Sequence, residues 1–416
     1  MTQTKLPKLM KPCGAGRRTF LASMAATPAL LSFDACAQVP HAPVERDGDV
    51  HSSFDPWVEV HAANLRHNIG AISERVGGRP IMAVIKNDGY GLGIVNVGRT
   101  LDALEAVFGL AVVKLNEAVV LREGGVRKPV LLMGPFGESD LEEAVARDIT
   151  PMVYTPIGDM LDRVAAKLGK TIPIQICLDT GMGRVGVPVR DAAVLIRDLA
   201  GRPAVQIQGL QTTLSEDPEL EPLQVQRLQE VGATVRGEGL DIGRLHAASS
   251  YALFEHPEAF LDMVRVGMAI YGIYPEPRFN EMGVLDLRPA VALRGGVAYV
   301  KQLRRGETAG YGRAYVAESD VWIATLPIGH GDGLPRAAAQ GGLVTIGGAR
   351  YPIIAAISAS HTMVELGQET QVHAGDQATV FDLEEGSRPE DFAAGFGGSV
   401  YDLTMHLNPL MPRRVI

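Results

Sequence analysis

Short apolar runs alternate with amphipathic stretches over residues 81–268. The runs predict eight strands, at residues 81–86, 107–113, 129–134, 150–154, 172–178, 205–212, 244–248 and 263–268. Amphipathic stretches such as 159–170 and 223–235 lie between them and predict helices. Eight strands, each followed by a helix or a loop over about 200 residues, are typical of a (β/α)8 barrel. An open, doubly wound sheet is the alternative that the pattern leaves open.

Beyond Pro275 the apolar runs become short and close together, and glycine-rich turns separate them. They lie at residues 291–300, 321–327, 343–346, 351–356, 363–366 and 377–381. This rhythm predicts an antiparallel, all-β domain. The run 57–60 is a candidate for an extra strand of that domain. The domain prediction is therefore a barrel at 57–283 and a C-terminal β domain at 284–416.

The first 37 residues have the pattern of an export signal. Three lysines and the pair Arg17 and Arg18 precede an apolar stretch at residues 20–33, and a small-x-small site ends at Ala37. We predict a twin-arginine signal peptide, a linker at 38–56 and a periplasmic protein. An uncleaved anchor is the first alternative, but the stretch is short for a bilayer. Lipidation of Cys36 is the second, and Asp34 fits it poorly.

Composition and charge narrow the function classes. The chain has 416 residues, 46% apolar and 21% charged, with a net charge of -9. This length allows two domains, and the acidic balance argues against general nucleic-acid binding. Removal of the signal, which carries five basic residues and one acidic residue, makes the charge more negative. Of the three cysteines only Cys177 remains, which excludes an intrachain disulfide and fits folding in a reducing compartment before export.

Lys86 is the first candidate catalytic residue. It ends an apolar run, and the loop that follows contains Tyr90 and three glycines. A lysine at the mouth of an apolar strand loses part of its hydration, which favours the neutral, nucleophilic amine. Such an amine can form a Schiff base with an aldehyde cofactor. A lysine that extends its ammonium group into water is the alternative reading of this position alone.

Other polar positions fall at the same end of the predicted barrel. Active sites of such barrels lie at the C-terminal ends of the strands, and phosphate binds after the last two. Residues 179–184 follow the fifth predicted strand, Ser249 and Ser250 follow the seventh, and Gly267 and Met268 end the eighth. Their common placement with Lys86 predicts one site on this rim.

Six motifs resemble those of the alanine racemase family of pyridoxal phosphate enzymes, and they occur in the family's order. They are KNDGYG at 86–91, LDTGMGR at 178–184, HAASS at 246–250, RVGMAIYG at 265–272, GYGR at 310–313 and IGHGDG at 328–333. The resemblance covers residues 57–413. With the export signal, the chain is most similar in character to periplasmic broad-specificity amino-acid racemases.

The resemblance implies racemisation of an amino acid by two bases on opposite faces of a substrate joined to pyridoxal 5'-phosphate. Lys86 is expected to carry the cofactor and to act as one base. Tyr311 is expected to be the other, contributed by the partner subunit of a homodimer. Arg265 is expected to donate to the pyridine nitrogen, and Arg184 to bind the substrate carboxylate or the cofactor.

The resemblance also implies the remaining contacts. The residues expected around the cofactor are Tyr90, Arg184, Ser249, Ser250, Arg265, Gly267, Met268 and Tyr401. Hydroxyls and backbone N–H groups among them suit a phosphate dianion. Taken alone, Tyr401 is most simply a core aromatic residue. The residues expected to bind the substrate are Arg184, His330, Ala359 and Ser360. No metal site is expected.

Five positions depart from the family pattern. Thr213 replaces a histidine under the cofactor ring, Cys177 a modified lysine, His330 a tyrosine, Ala359 a methionine and Ser249 an asparagine. The smaller residue at 359 predicts a wider pocket and a broader or shifted substrate range. The substitutions also keep two alternatives open: a pyridoxal phosphate decarboxylase or lyase on the same barrel, and a catalytically impaired homologue that binds the cofactor or an amino acid.

Overall fold

The computed structural model describes residues 54–416. The predicted signal peptide and the predicted linker up to residue 53 lie outside the described residues. Within 54–416, no helix is long and apolar enough to cross a membrane.

Eight parallel strands form the barrel. They are Ile81–Val84, Val107–Val112, Val130–Leu132, Ile149–Val153, Ile172–Asp179, Val205–Gln211, Arg244–His246 and Val264–Val266, which we call barrel strands 1 to 8. Neighbours in sequence pair side by side, and barrel strand 8 pairs with barrel strand 1. A single bridge between His246 and Met263 joins barrel strands 7 and 8. The (β/α)8 prediction is therefore confirmed, and the open doubly wound sheet is wrong.

Helices cover the outside of the barrel. The longer ones are Ala62–Arg75, Ile94–Asp102, Leu115–Glu123, Glu138–Ala146, Gly158–Leu168, Val189–Ala200 and Glu221–Gly237. Val189–Ala200 shows why such segments fold this way: it buries Ala192, Leu195, Ile196 and Leu199, which lie three or four residues apart on one face. Because the barrel strands are covered on both faces, all four residues of barrel strand 1 are buried.

The C-terminal domain is built on a nine-stranded sheet. Seven of its strands are Val291–Gly296, Tyr299–Leu303, Val321–Leu326, Leu343–Ile346, Ala349–Ile354, Thr362–Gly367 and Gln377–Phe381. Trp57–Val60 pairs antiparallel with Val291–Gly296, and Arg413–Val415 pairs parallel with Trp57–Val60. Two short helices, Pro389–Ala394 and Val400–Met405, also belong to this part of the chain. The predicted all-β character is therefore correct for the sheet and incomplete for the segment that follows it.

One predicted strand proves to be two. Residues 291–300 divide at Val297 and Ala298 because the chain changes neighbours there. The N–H of Val297 donates to Asp376 beside Gln377–Phe381, and the N–H of Ala298 donates to Thr325 in Val321–Leu326. The apolar pattern continues through this change, so it gives no sign of it.

A largely buried arginine, Arg294, fastens the strand Trp57–Val60 to the sheet. Its Nε donates to Glu59 Oε2 at 2.7 Å, and one of its terminal nitrogens donates to Thr379 Oγ1 at 2.7 Å. Each charge-assisted hydrogen bond is worth more than a neutral one.

A small apolar cluster supports the hairpin that carries Tyr311. The hairpin pairs Thr308–Ala309 with Tyr315–Val316, and its turn contains Tyr311–Arg313. The cluster comprises Leu303, Ala309, Ala317, Val321, Ile323 and Ile354. It is separate from the large core of the barrel and the remaining sheet. Apolar side chains of the β domain therefore pack against the hairpin, and the turn of the hairpin lies at the surface.

Candidate active site

The loop after barrel strand 1 has an uncommon backbone. Lys86 stands at its start and is half-buried. Asn87, Asp88, Gly89 and Tyr90 follow with φ angles of 54°, 55°, 62° and 56°, all left-handed. Each non-glycine residue there costs about 1 kcal/mol because Cβ approaches the following carbonyl oxygen. The surroundings must therefore hold this conformation.

Side chains from three parts of the chain hold the loop. The Asp88 carboxylate accepts a hydrogen bond from the N–H of Ile94 at 3.0 Å, and the N–H of Asp88 donates to Glu117 Oε1 at 3.2 Å. Arg413, in the last strand of the β domain, donates to the carbonyl oxygen of Gly91. These contacts fix the position from which the Lys86 side chain leaves the backbone.

Tyr90 lies at the centre of the predicted phosphate cradle. Its ring stacks on Tyr271 with 4.7 Å between centroids, and it meets Tyr401 edge-on at 5.7 Å. A Cβ built on Gly267 would overlap the Tyr90 hydroxyl, so only glycine leaves room for it. Burial raises the pKa of the Tyr90 phenol far above its ordinary value of 10.0. The hydroxyl therefore stays protonated and can donate to an anion.

Ser250 completes the cradle from the end of barrel strand 7. Its Oγ accepts hydrogen bonds from the N–H groups of Gly267 and Ala269, at 3.1 and 3.2 Å. Met268, half-buried, lies between these two residues. Ser249 Oγ accepts from the N–H of Tyr251 at 3.2 Å and supports the same turn. The hydroxyls of Tyr90 and Ser250 thus meet beside Gly267, and both can donate to a phosphate group.

Arg265, on barrel strand 8, belongs to a buried chain of hydrogen bonds. Its guanidinium donates to the Thr212 carbonyl oxygen at 2.7 Å and lies 3.1 Å from His246 Nδ1. The Nε2 of His246 lies 2.8 Å from Gln175 Oε1. Since arginine can only donate, Nδ1 is the acceptor and the proton sits on Nε2. Burial lowers the pKa of Arg265 to about 10, so it stays cationic at neutral pH.

His246 is the neutral member of this chain. Burial, followed by the charges of Arg265 and Arg244, lowers the pKa of His246 well below its ordinary value of 6.5. A neutral histidine can accept from Arg265, whereas a protonated one could not. The lowered pKa and the hydrogen-bond geometry therefore both require that His246 is neutral.

The loop after barrel strand 5 presents Arg184 at the surface. Asp179 Oδ1 shapes this loop by accepting from the N–H groups of Gly181 and Gly183, each at 3.0 Å. Arg184 is exposed and makes no hydrogen bond with residues 54–416. Its guanidinium is therefore free to bind an anion.

Two departures from the family pattern lie beside this loop. Burial raises the pKa of Cys177 to about 11, against the opposing charges of Arg265 and Arg184. Cys177 is therefore a neutral thiol where the resemblance expects a modified lysine. The Thr213 carbonyl oxygen accepts from Gln224 Nε2 at 3.1 Å.

The predicted residues of the β domain form a second group. The N–H of His330 donates to Ser358 O at 2.9 Å, and the N–H of Gly331 donates to Ala359 O at 2.8 Å. These bonds bring His330 beside Ala359 and Ser360. Tyr311 is 79% exposed. Within residues 54–416, no hydrogen bond, ion pair or ring contact joins this group to Lys86.

Several supporting residues were not predicted from the sequence. Gln175 had one available signal, since it is a polar residue inside the apolar part of the strand Ile172–Asp179. Tyr271 lies in the motif at 265–272, but an aromatic residue after a strand is also ordinary core, so the motif alone indicated no role for it; its hydroxyl is buried and unpartnered in the described part of the chain. Arg413 had no signal, because its partner Gly91 is 322 positions away.

The comparisons with known proteins agree over both domains. A model of the alanine racemase N-terminal domain matches residues 60–275, and one of the C-terminal domain matches 290–415. An alanine racemase of Desulforamulus reducens is 31% identical over 365 residues, 86% of this chain and 98% of that protein. A crystal structure of alanine racemase from D-cycloserine-producing Streptomyces lavendulae superposes with a TM-score of 0.82 at 29% identity, covering 88% of this chain and 98% of that one. The alanine racemase of Bacillus anthracis with bound L-Ala-P gives 0.79 at 29%, covering 87% and 95%.

The state of His246 predicts a pH dependence of stability. Its pKa is lower in the folded chain than in the unfolded chain, so below about pH 6.5 only the unfolded chain gains the proton. As the pH decreases below about 6.5, this group's contribution to the free energy of unfolding therefore decreases too, by up to about 1.4 kcal/mol per pH unit. We expect His246→Gln to remove that slope in urea unfolding between about pH 7 and about pH 5.

Comparison with the wild type is needed because other groups act in the opposite direction. Burial raises the pKa of Glu390 to about 7, which stabilises the folded chain as pH falls. His373→Gln, at an exposed histidine, is the control and should keep the wild-type slope. An unchanged slope in His246→Gln would contradict the assignment.

Proposed function

Because the chain belongs to the alanine racemase family, we propose that it is an amino-acid racemase that uses pyridoxal 5'-phosphate, with Lys86 and Tyr311 as its two bases. The observation that carries this proposal is the meeting of Lys86, Tyr90, Ser250 and Gly267 at one barrel rim, with Arg265 buried beside them. No feature of the described residues favours a lyase, a decarboxylase or a non-catalytic homologue.

The described residues fit the cofactor. Tyr90 and Ser250 supply hydroxyls that can donate to the phosphate, and the Tyr90 hydroxyl fits beside Ser250 because Gly267 has no side chain. Joined to the substrate amine in place of Lys86, pyridoxal phosphate would withdraw electrons from the substrate Cα, so that the α-proton would become acidic. Arg265 would face the ring nitrogen and donate to it without giving up its proton. His246 and Thr212 fix its guanidinium in that direction.

Racemisation then depends on where this chain holds protons. On one face of the substrate the Lys86 amine takes the α-proton or its ammonium form returns it, and on the other face the Tyr311 phenolate takes it or the phenol returns it. The exposed guanidinium of Arg184 would hold the substrate carboxylate. Two bases on opposite faces invert the centre without turning the substrate over.

We propose that Tyr311 reaches such a site from a second chain. It lies on an exposed hairpin turn, and no described contact joins it to Lys86 in the same chain. We therefore propose a homodimer in which each site combines the Lys86 of one subunit with the Tyr311 of the other. An isologous dimer of this kind has two equivalent shared sites.

Co-expression of Lys86→Ala with Tyr311→Phe tests the shared site. Each variant alone should lose about 10²-fold or more of its activity, because each lacks one base. Mixed dimers contain one site with both bases intact, so the co-expressed pair should recover about a quarter of wild-type racemisation, measured by chiral chromatography. Co-expression of Lys86→Ala with the double variant is the control and should recover nothing. Equal, low activity in both mixtures would contradict the shared site.

The substrate side supports a broader range than alanine. His330 and Ala359 are brought together by backbone hydrogen bonds, and Ala359 and Ser360 are exposed. A side chain as small as alanine at 359 leaves space that a methionine would fill. We propose that longer amino acids occupy this space.

Ala359→Met should narrow the substrate range. For lysine or methionine as substrate, kcat/KM should fall about tenfold or more relative to alanine, since each lost methylene contact is worth a factor of that order. Ala349→Met places the same side chain at an exposed position in another hairpin of the β domain and serves as the control. A wild-type enzyme that turns over alanine alone would contradict the proposal.

We further propose export to the periplasm through the twin-arginine route, on the basis of residues 1–37. Replacing Arg17 and Arg18 by lysine should retain the protein in the cytoplasmic fraction, because the paired guanidinium groups are the recognised feature. Replacing Lys5 and Lys8 by arginine is the matched control. Equal periplasmic amounts of all three proteins, measured by cell fractionation, would contradict this route.

A further inference from the structure

We propose that Arg413 is a positioning residue, which holds the Lys86 loop in its left-handed conformation from the β domain. This inference rests on the proposed role of Lys86. Asn87, Asp88 and Tyr90 all have positive φ without being glycine. Asn and Asp tolerate this region better than most residues, but Tyr90 does not, so the run as a whole needs support from other parts of the chain.

The side chain of Arg413 is only 6% exposed and uses most of its donors. Its Nε and one terminal nitrogen donate to the Gly91 carbonyl oxygen, at 3.2 and 2.8 Å. The other terminal nitrogen donates to the Met411 carbonyl oxygen at 2.7 Å. Two contacts on one carbonyl oxygen at the end of the left-handed run fix where that run stops.

The positive charge of Arg413 also stabilises the loop. The Arg413 guanidinium lies 3.7 Å from Asp88 Oδ2. Burial and the neighbouring charge of Glu117 raise the pKa of Asp88, whereas Arg413 and the hydrogen bond from Ile94 oppose that change. Without Arg413 the Asp88 carboxylate would face Glu117 with no cation beside it. The arginine therefore stabilises the left-handed run at two points, Asp88 near its start and Gly91 at its end.

The surrounding β-domain segment packs against the same loop. A Cβ built on Gly91 would overlap the carbonyl oxygen of Thr404, and Asn87 Nδ2 donates to the sulfur of Met405 at 3.4 Å. Tyr401, from the same short helix, contacts the Tyr90 ring. Lys86 belongs to the barrel, but residues 400–413 of the β domain hold the backbone of the loop from which its side chain extends.

The test compares Arg413→Met with Arg294→Met. Methionine keeps the apolar stem of the side chain and removes all its donors. Arg294 is the matched control, because it is also a buried, multiply bonded arginine of the β domain but contacts Glu59 and Thr379. Both variants should lose stability. Only Arg413→Met should change the conformation of the Lys86 loop.

Two measurements separate the variants. Hydrogen–deuterium exchange of the chain without cofactor should accelerate in the peptide 86–93 of Arg413→Met, with no change in the helix Val189–Ala200. Titration with pyridoxal phosphate should show at least about tenfold weaker binding, with fewer pyridoxyl groups on Lys86 after borohydride reduction and mass spectrometry. Arg294→Met should match the wild type in both.

The proposal is contradicted if the two variants behave alike. Equal exchange of 86–93 in Arg413→Met and the wild type, or an equal change in both variants, would show that Arg413 only stabilises the fold. If Arg413→Met does not fold, Arg413→Gln enters the same comparison. A wild-type chain that fails to bind pyridoxal phosphate would refute the proposed function, whereas the exchange result would still report on Arg413.

Discussion

The pairing of the last barrel strand with the first is the interaction on which the site depends. Val264–Val266 pairs with Ile81–Val84 in parallel, so that Val266 lies beside Ala83. Gly267 and the Lys86 loop therefore leave the barrel side by side, although they are far apart in the sequence. The Tyr90 hydroxyl can lie against Gly267 only because of this closure. The proposed phosphate cradle is thus a consequence of a closed barrel, and an open sheet would separate its two halves.

The sequence predicted what depends on local pattern. All eight barrel strands were placed within a few residues, because strands buried on both faces appear as apolar runs. The pattern failed where long-range contacts decide the structure. The division of 291–300 follows a change of neighbours, and Arg413–Val415 is a strand only because Trp57–Val60 lies beside it. The helix Val400–Met405 is too short for its periodicity to be recognised.

The candidate site divides in the same way. Tyr90, Ser250, Gly267 and Arg265 belong to motifs, and the structure brings them to one rim. The residues that hold them come from elsewhere: Gln175 acts through His246, and Arg413 reaches the Lys86 loop from the last strand. Asn87 and Asp88 tolerate a left-handed backbone, but the run that continues to Tyr90 also depends on contacts with distant partners such as Arg413. Motifs identify the reacting groups, and tertiary contacts determine their geometry.

The place of Trp57–Val60 between Val291–Gly296 and Arg413–Val415 has a consequence for synthesis. The ribosome makes this strand before the barrel, and its two neighbours emerge only after the barrel has been completed. This strand therefore stays unpaired until Val291–Gly296 has been made, and its second neighbour follows later still. A nascent chain that lacks residues 413–415 has neither that second neighbour nor Arg413 beside the Lys86 loop. The sheet of the β domain is therefore complete only when segments from both sides of the barrel are present.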